Sequence, residues 1–193
     1  MVSRNHIITA IGICALSLNV VPAFAGVNTY DFSAAANNSL VTPATIGNAT
    51  FSSPSDPGAY TFGPNAGLFS SLGPFVLSSG GVTAALDVSF AVPQSMVAFD
   101  FALGDFLGAG GGDTLTVTTN TGVVLPVTAG LVGSDFFPEG SVSLSDAHGF
   151  SSIELTSAYP IVIADLTSVP EPASMMVLAL GLTGILAARH RRR

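Results

Sequence analysis

The chain of 193 residues is 48% hydrophobic and 9% charged, with twelve acids, five bases and a formal net charge of −7. All five bases stand at the ends, Arg4 and then Arg189, Arg191, Arg192 and Arg193, so positions 5 to 188 hold neither Lys nor Arg. A nucleic-acid-binding or phosphate-binding body is excluded, because both depend on basic side chains against phosphate. A disordered acidic chain is excluded too, by the apolar content and by 13 Phe and 3 Tyr spread along the sequence.

Arg4, the apolar run from Ile7 to Val21 and the small-x-small triplet Ala23-Phe24-Ala25 read as a secretory signal peptide over residues 1–25, cut by signal peptidase after Ala25. The lone cysteine, Cys14, leaves with it, so the exported body carries no disulfide and no thiolate.

From Gly26 onward no long stretch shows helical spacing, and Gly, Pro, Ser, Thr and Asn punctuate the sequence about every ten residues, which predicts short strands. They are expected at 27–33, 49–53 and 82–90, with Pro93 marking a turn before a strand at 95–102 that sets Val97, Phe99 and Phe101 on one face. Strands at 114–119 and 123–127 flank Asn120-Thr121-Gly122, a hairpin loop closed by a glycine at positive φ. Two more are expected at 151–157 and 161–167. Eight to ten short strands over 26–168 predict an all-β, two-sheet antiparallel sandwich of jelly-roll type.

The C-terminus reads Pro170-Glu171-Pro172, an apolar stretch over 173–188 with Gly181 and Gly184, and a basic tail over 189–193. As a helix the apolar stretch would span about 24 Å, short but workable for a transmembrane segment. The arginines Arg189, Arg191, Arg192 and Arg193 set its orientation by remaining cytoplasmic, which leaves the body outside the inner membrane. This three-part tail, 169–193, resembles the PEP-CTERM sorting signal of Gram-negative bacteria. The resemblance implies recognition by an exosortase at Pro170, Glu171 and Pro172, with Glu171 central, followed by delivery to the cell surface or exterior, and an association with exopolysaccharide and biofilm. Residues 86–101, 113–117, 150–155 and 163–166 are similar to the lectin-like jelly-roll bodies that accompany such tails. There the last strand usually carries an Asp-Asn pair, whereas Asp165 here precedes Leu166.

Catalytic raw material is scarce. His148 is the body's sole histidine and no G-x-S-x-G elbow surrounds it, so a solvent-exposed loop is expected there. Asp135 and Glu139 come nearest to the paired carboxylates of glycoside hydrolysis, and read more simply as solubilising loop acids beside a buried Phe. Asp105 and Asp113 close the loop Gly104 to Asp113 and, with Asp100, offer oxygen ligands for calcium; the same loop also reads as a plain connection between strands. Tyr60, in a turn-rich stretch, either presents a ring to a sugar or caps the sandwich edge with its hydroxyl in water. The expected protein is a non-enzymatic surface or matrix component, with no certain cofactor. The alternatives are a lectin-like carbohydrate-binding module, with or without calcium, and a secreted hydrolase.

Overall fold

The computed structural model describes residues 26–35, 40–104, 113–132 and 136–172. The segment expected as a signal peptide, with Ala23 and Ala25, the stretch 173–188 expected as a membrane helix, and Arg189, Arg191, Arg192 and Arg193 lie outside the described residues.

Eleven antiparallel strands and one 3₁₀ turn make up the described chain: β1 (Asn28–Thr29), the turn Phe32–Ala34, β2 (Ala44–Ile46), β3 (Ala49–Ser52), β4 (Thr61–Pro64), β5 (Phe75–Ser78), β6 (Leu86–Leu103), β7 (Thr114–Thr119), β8 (Val124–Thr128), β9 (Gly130–Leu131), β10 (Pro138–Thr156) and β11 (Ile161–Pro170). The two long strands, β6 and β10, pass from one sheet into the other. The first sheet runs β4-β5-β11-β6-β10-β9, using residues 94–103 of β6 and 138–145 of β10. The second runs β2-β3-β6-β10-β7-β8, using residues 86–90 and 152–156. The crossing falls where the β10 register breaks, between Ser145 and Ser152, with Gly149 at φ +68° supplying the conformation that an L side chain resists.

Alternation then decides what is buried. Phe51, Val88, Ile153, Leu155, Val117 and Leu86 from the second sheet meet Phe62, Leu77, Phe101, Ile161 and Ile163 from the first. Phe32, Phe51 and Phe62 form an edge-packed trio with ring centroids 5.5–5.9 Å apart.

The sandwich is the expected fold, with local differences: β2, β4, β5 and β9 add to the expected strands, and the strand expected at 82–90 begins at Leu86. The strand expected at 27–33 stops at Thr29, because the Asp31 carboxylate accepts the Ser33 N–H and starts a turn. Pro93 does not end its strand: it lies inside β6 at a break in the ladder, where a missing N–H costs no hydrogen bond. The strand expected at 151–157 is the second half of the 19-residue β10. The last strand, expected to stop at 167, runs on to Pro170.

Candidate functional site

The two outer faces of the sandwich differ in what covers them. On the first sheet, Val76, Ala102, Val162 and Ala164 are buried beneath Phe69 and Leu72 of the loop 65–74, with Phe137 stacked on Phe69 at 5.2 Å. Three side chains fasten that loop. Glu139 accepts the Ser70 N–H at 2.9 Å, the Ser71 N–H at 2.8 Å and the Ser71 hydroxyl. Asp165, held at φ +53°, accepts the Gly73 N–H at 3.0 Å, and Asn65 bonds Phe69 and Leu72 within the loop. Among the described residues, the apolar cavity of about 350 Å³ beside the loop has no ionisable lining residue.

The second sheet's outer face is open. Register places Ser52, Asp87, Glu154, Thr118 and Val124 in one row across β3, β6, β10, β7 and β8, with Thr50, Ser89 and Ser152 in the next. Asp87, Ser89, Thr118, Asn120, Ser152 and Glu154 line a groove of about 320 Å³. The Asn120 carboxamide oxygen accepts the N–H groups of Ser151 and Ser152 at 2.9 and 3.2 Å. Asp87 and Glu154 are direct cross-strand partners. Burial, and then the charge of Glu154, raise the Asp87 carboxyl above the ordinary aspartate range. The groove's hairpin is pinned by Asp146, which accepts the Thr121 hydroxyl at 2.7 Å and the His148 N–H at 2.9 Å; these bonds hold its carboxyl below the usual range.

The expected site residues fare differently. Tyr60 is not at the surface: it is fully buried, and its hydroxyl donates to the Ala84 carbonyl at 2.8 Å. Residues 60 and 62 share a face on entering β4, so the ring goes to the core with Phe62, and burial raises its hydroxyl far above the usual tyrosine value. Glu139 is not a loop acid; it sits in β10, 3% exposed, as the anchor just described. Of its neighbours, Phe136 is 81% exposed, Phe137 is half-buried against Phe69, and Asp135 lies outside the described residues. The His148 side chain is 92% exposed, with Nδ1 3.4 Å from Asp146 Oδ1. Asp100 lies on the outer face of β6 and accepts the Ser141 hydroxyl at 2.6 Å; Asp113 precedes β7, its carbonyl bonded to the Ala129 N–H at 2.8 Å. Asp105 lies outside the described residues, among which no group of three or more His, Cys, Asp or Glu could hold a metal ion. Asp87 and Glu154 escaped sequence reasoning: each is an outward residue in an alternating strand, and only register brings them together.

Pro170 ends β11, and Glu171 and Pro172 follow it directly. Pro170 pairs with Gln94, and the Glu171 N–H donates to the Pro93 carbonyl at 3.0 Å. Residues 168–193 match the PEP-CTERM protein-sorting motif, which implies export on a membrane-anchored sorting signal with an exosortase as the processing partner. None of the curated proteins matches it. Among solved structures it is similar to the K2 cleaved adhesin domain of Lys-gingipain, at 12% identity over 75% of this chain and 98% of that one, with a TM-score of 0.48. The K1 domain from Porphyromonas gingivalis W83 gives 10% identity, 76% and 99% coverage and a TM-score of 0.47. TmCBM61, solved with beta-1,4-galactotriose, gives 16%, 70% and 100%, and 0.38. At these values no ligand or activity passes from them to this chain.

Proposed function

We propose that the processed body is a non-enzymatic component of the surface or extracellular matrix of a Gram-negative cell, and that it associates with biofilm exopolysaccharide through the Asp87–Glu154 groove. In this reading signal peptidase cuts after Ala25 and the C-terminal helix holds the chain in the inner membrane until exosortase processing. The observation that carries the proposal is the groove: an open concavity lined by hydroxyl, carboxamide and carboxylate groups, the complement of a sugar's hydroxyls. With Glu171 removed by processing, the body keeps eleven acids and no base, so its partner is neutral, or anionic with a bridging divalent ion. Calcium held by Asp100, Asp105 and Asp113 is a separate part of the proposal, because Asp100 stands on the outer face of the first sheet and the groove on that of the second.

A glycan array probed with residues 26–172, with and without calcium, tests it. Binding to at least one neutral polysaccharide is expected, falling tenfold or more in the Asp87→Ala, Glu154→Ala double variant. Silence across the array would favour a passive structural role. An unchanged melting temperature on adding calcium would remove the ion from the account.

One observation favours a second reading. Directly opposed cross-strand residues have Cβ atoms about 5 Å apart, compatible with the spacing of roughly 5–5.5 Å between the carboxyl groups of retaining glycosidases. Glu154 is exposed on an open face, a wet setting that suits binding better than chemistry. Release of reducing ends from the bound polysaccharide would reverse that order.

A further inference from the structure

We infer that the sandwich masks its own sorting motif, so that exosortase processing requires the end of β11 to peel away from β6. The inference rests on Pro170-Glu171-Pro172 being the processed motif.

Five contacts hold the strand end down. Val169 lies opposite Met96 and Pro170 opposite Gln94 in the β11–β6 ladder. The Ser95 hydroxyl donates to the Val169 carbonyl at 3.1 Å, and the Glu171 N–H donates to the Pro93 carbonyl at 3.0 Å. The Glu171 carboxyl group lies over Gly149 in the β10 bulge so closely that a Cβ added there would collide with it. Pro170 and Glu171 are half-buried as a result, and Pro172 alone of the three is exposed. A protease takes its substrate as accessible extended backbone, so cleavage of a paired segment proceeds through the locally opened state. The closed state also contains its own weakness. Gln94, flanked by Phe150 and Pro170, is fully buried; its Nε2 donates to the Val92 carbonyl at 2.6 Å, but its Oε1 finds no partner among the described residues. Peeling back 169–172 would let water reach that oxygen, which lowers the cost of opening.

The test follows conversion of the full-length chain to its processed form by pulse-chase in cells containing the exosortase. Six Gly/Ser residues inserted between Ser168 and Val169 move the whole motif off the sandwich, and processing is expected to accelerate roughly tenfold, the factor for about one net hydrogen bond released. In the opposite direction, Met96→Cys with Val169→Cys places two cysteines on facing ladder positions, at a separation a disulfide can bridge. Processing of that chain is expected to stall until a reductant is added. Unchanged or slower processing of the insertion variant, or wild-type processing of the oxidised double-cysteine chain, would overturn the masking. Replacing Pro170, Glu171 and Pro172 by Ala separates the two questions, because continued processing there would sink the sorting assignment itself.

Discussion

Glu139 on one outer face and Asp87 on the other are both carboxylates on the long strands shared by the two sheets, yet their surroundings are opposite. Glu139 receives two backbone N–H groups and a hydroxyl from the loop it fastens, so its acceptor capacity is engaged inside the molecule. Asp87 faces Glu154 across the ladder, a like charge at a directly opposed position, which destabilises a sheet rather than supporting it. A fold keeps a carboxylate for one of these reasons or the other: it holds structure together, or it is available to something outside. The covered face is thus architecture, and the open face is the one the proposed function assigns to a ligand.

The largest effect should come from the covered face. Glu139→Ala removes the acceptor for three donors, two of them backbone, and frees the loop 65–74 from the apolar surface of Val162 and Ala164. Hydrogen bonds to a charged acceptor are individually worth about 1.5–3 kcal/mol, and water can re-bond the serines, so a net loss of about 2–4 kcal/mol is expected. Thermal unfolding should show it as a fall in Tm of roughly 6–15 °C, with glycan binding at the distant groove intact once the variant is folded. A Tm within a degree or two of the parent would break the contrast between the faces.

Tyr60 sharpens the contrast from the core. A ring serving a ligand would leave stability untouched when its hydroxyl is deleted, whereas the hydroxyl seen here bonds the Ala84 carbonyl in a fully buried setting. Tyr60→Phe should therefore cost about 1–2 kcal/mol in chemical denaturation, because it orphans that carbonyl, and should leave any glycan affinity as it was.

The sequence made the sandwich legible because alternation reports burial directly: Val97, Phe99 and Phe101 point inward as their spacing requires, and Gly122, at φ +90°, closes the hairpin between β7 and β8. Tyr60 was within the same rule's reach, since Tyr60 and Phe62 share a parity, but the turn-rich sequence before them obscured it. What alternation cannot report is which strand lies beside which. The pairing of Asp87 with Glu154, of Glu139 with Ser70 and Ser71, and of Glu171 with Gly149 joins residues distant in the chain. Each depends on register across β6, β10 and β11, which single-strand patterns leave undetermined.

The smallest effect, and the one most specific to the open face, concerns the charge pair. Asp87→Asn removes the like-charge repulsion with Glu154 and should stabilise the body at neutral pH by about 0.2–1 kcal/mol, while weakening ligand binding. The pH dependence fixes the sign independently. Because burial and Glu154 raise the Asp87 carboxyl in the folded state, the native protein binds its proton more tightly than the unfolded chain does. The resulting stabilisation is fully present below the unfolded aspartate value, about 4, and is lost as pH rises through the raised native value. Asp146 acts in the opposite sense: its carboxyl is held low by Thr121 and then His148, so its contribution is present above the unfolded value and is lost as pH falls through the native one. Denaturation midpoints measured across the acid range should thus gain a steeper rise with pH in Asp87→Asn, because the opposing slope of Asp87 has been removed and that of Asp146 remains. Identical pH profiles for the parent and Asp87→Asn would show that Asp87 and Glu154 do not couple, and the open face would lose its claim to a poised carboxylate pair.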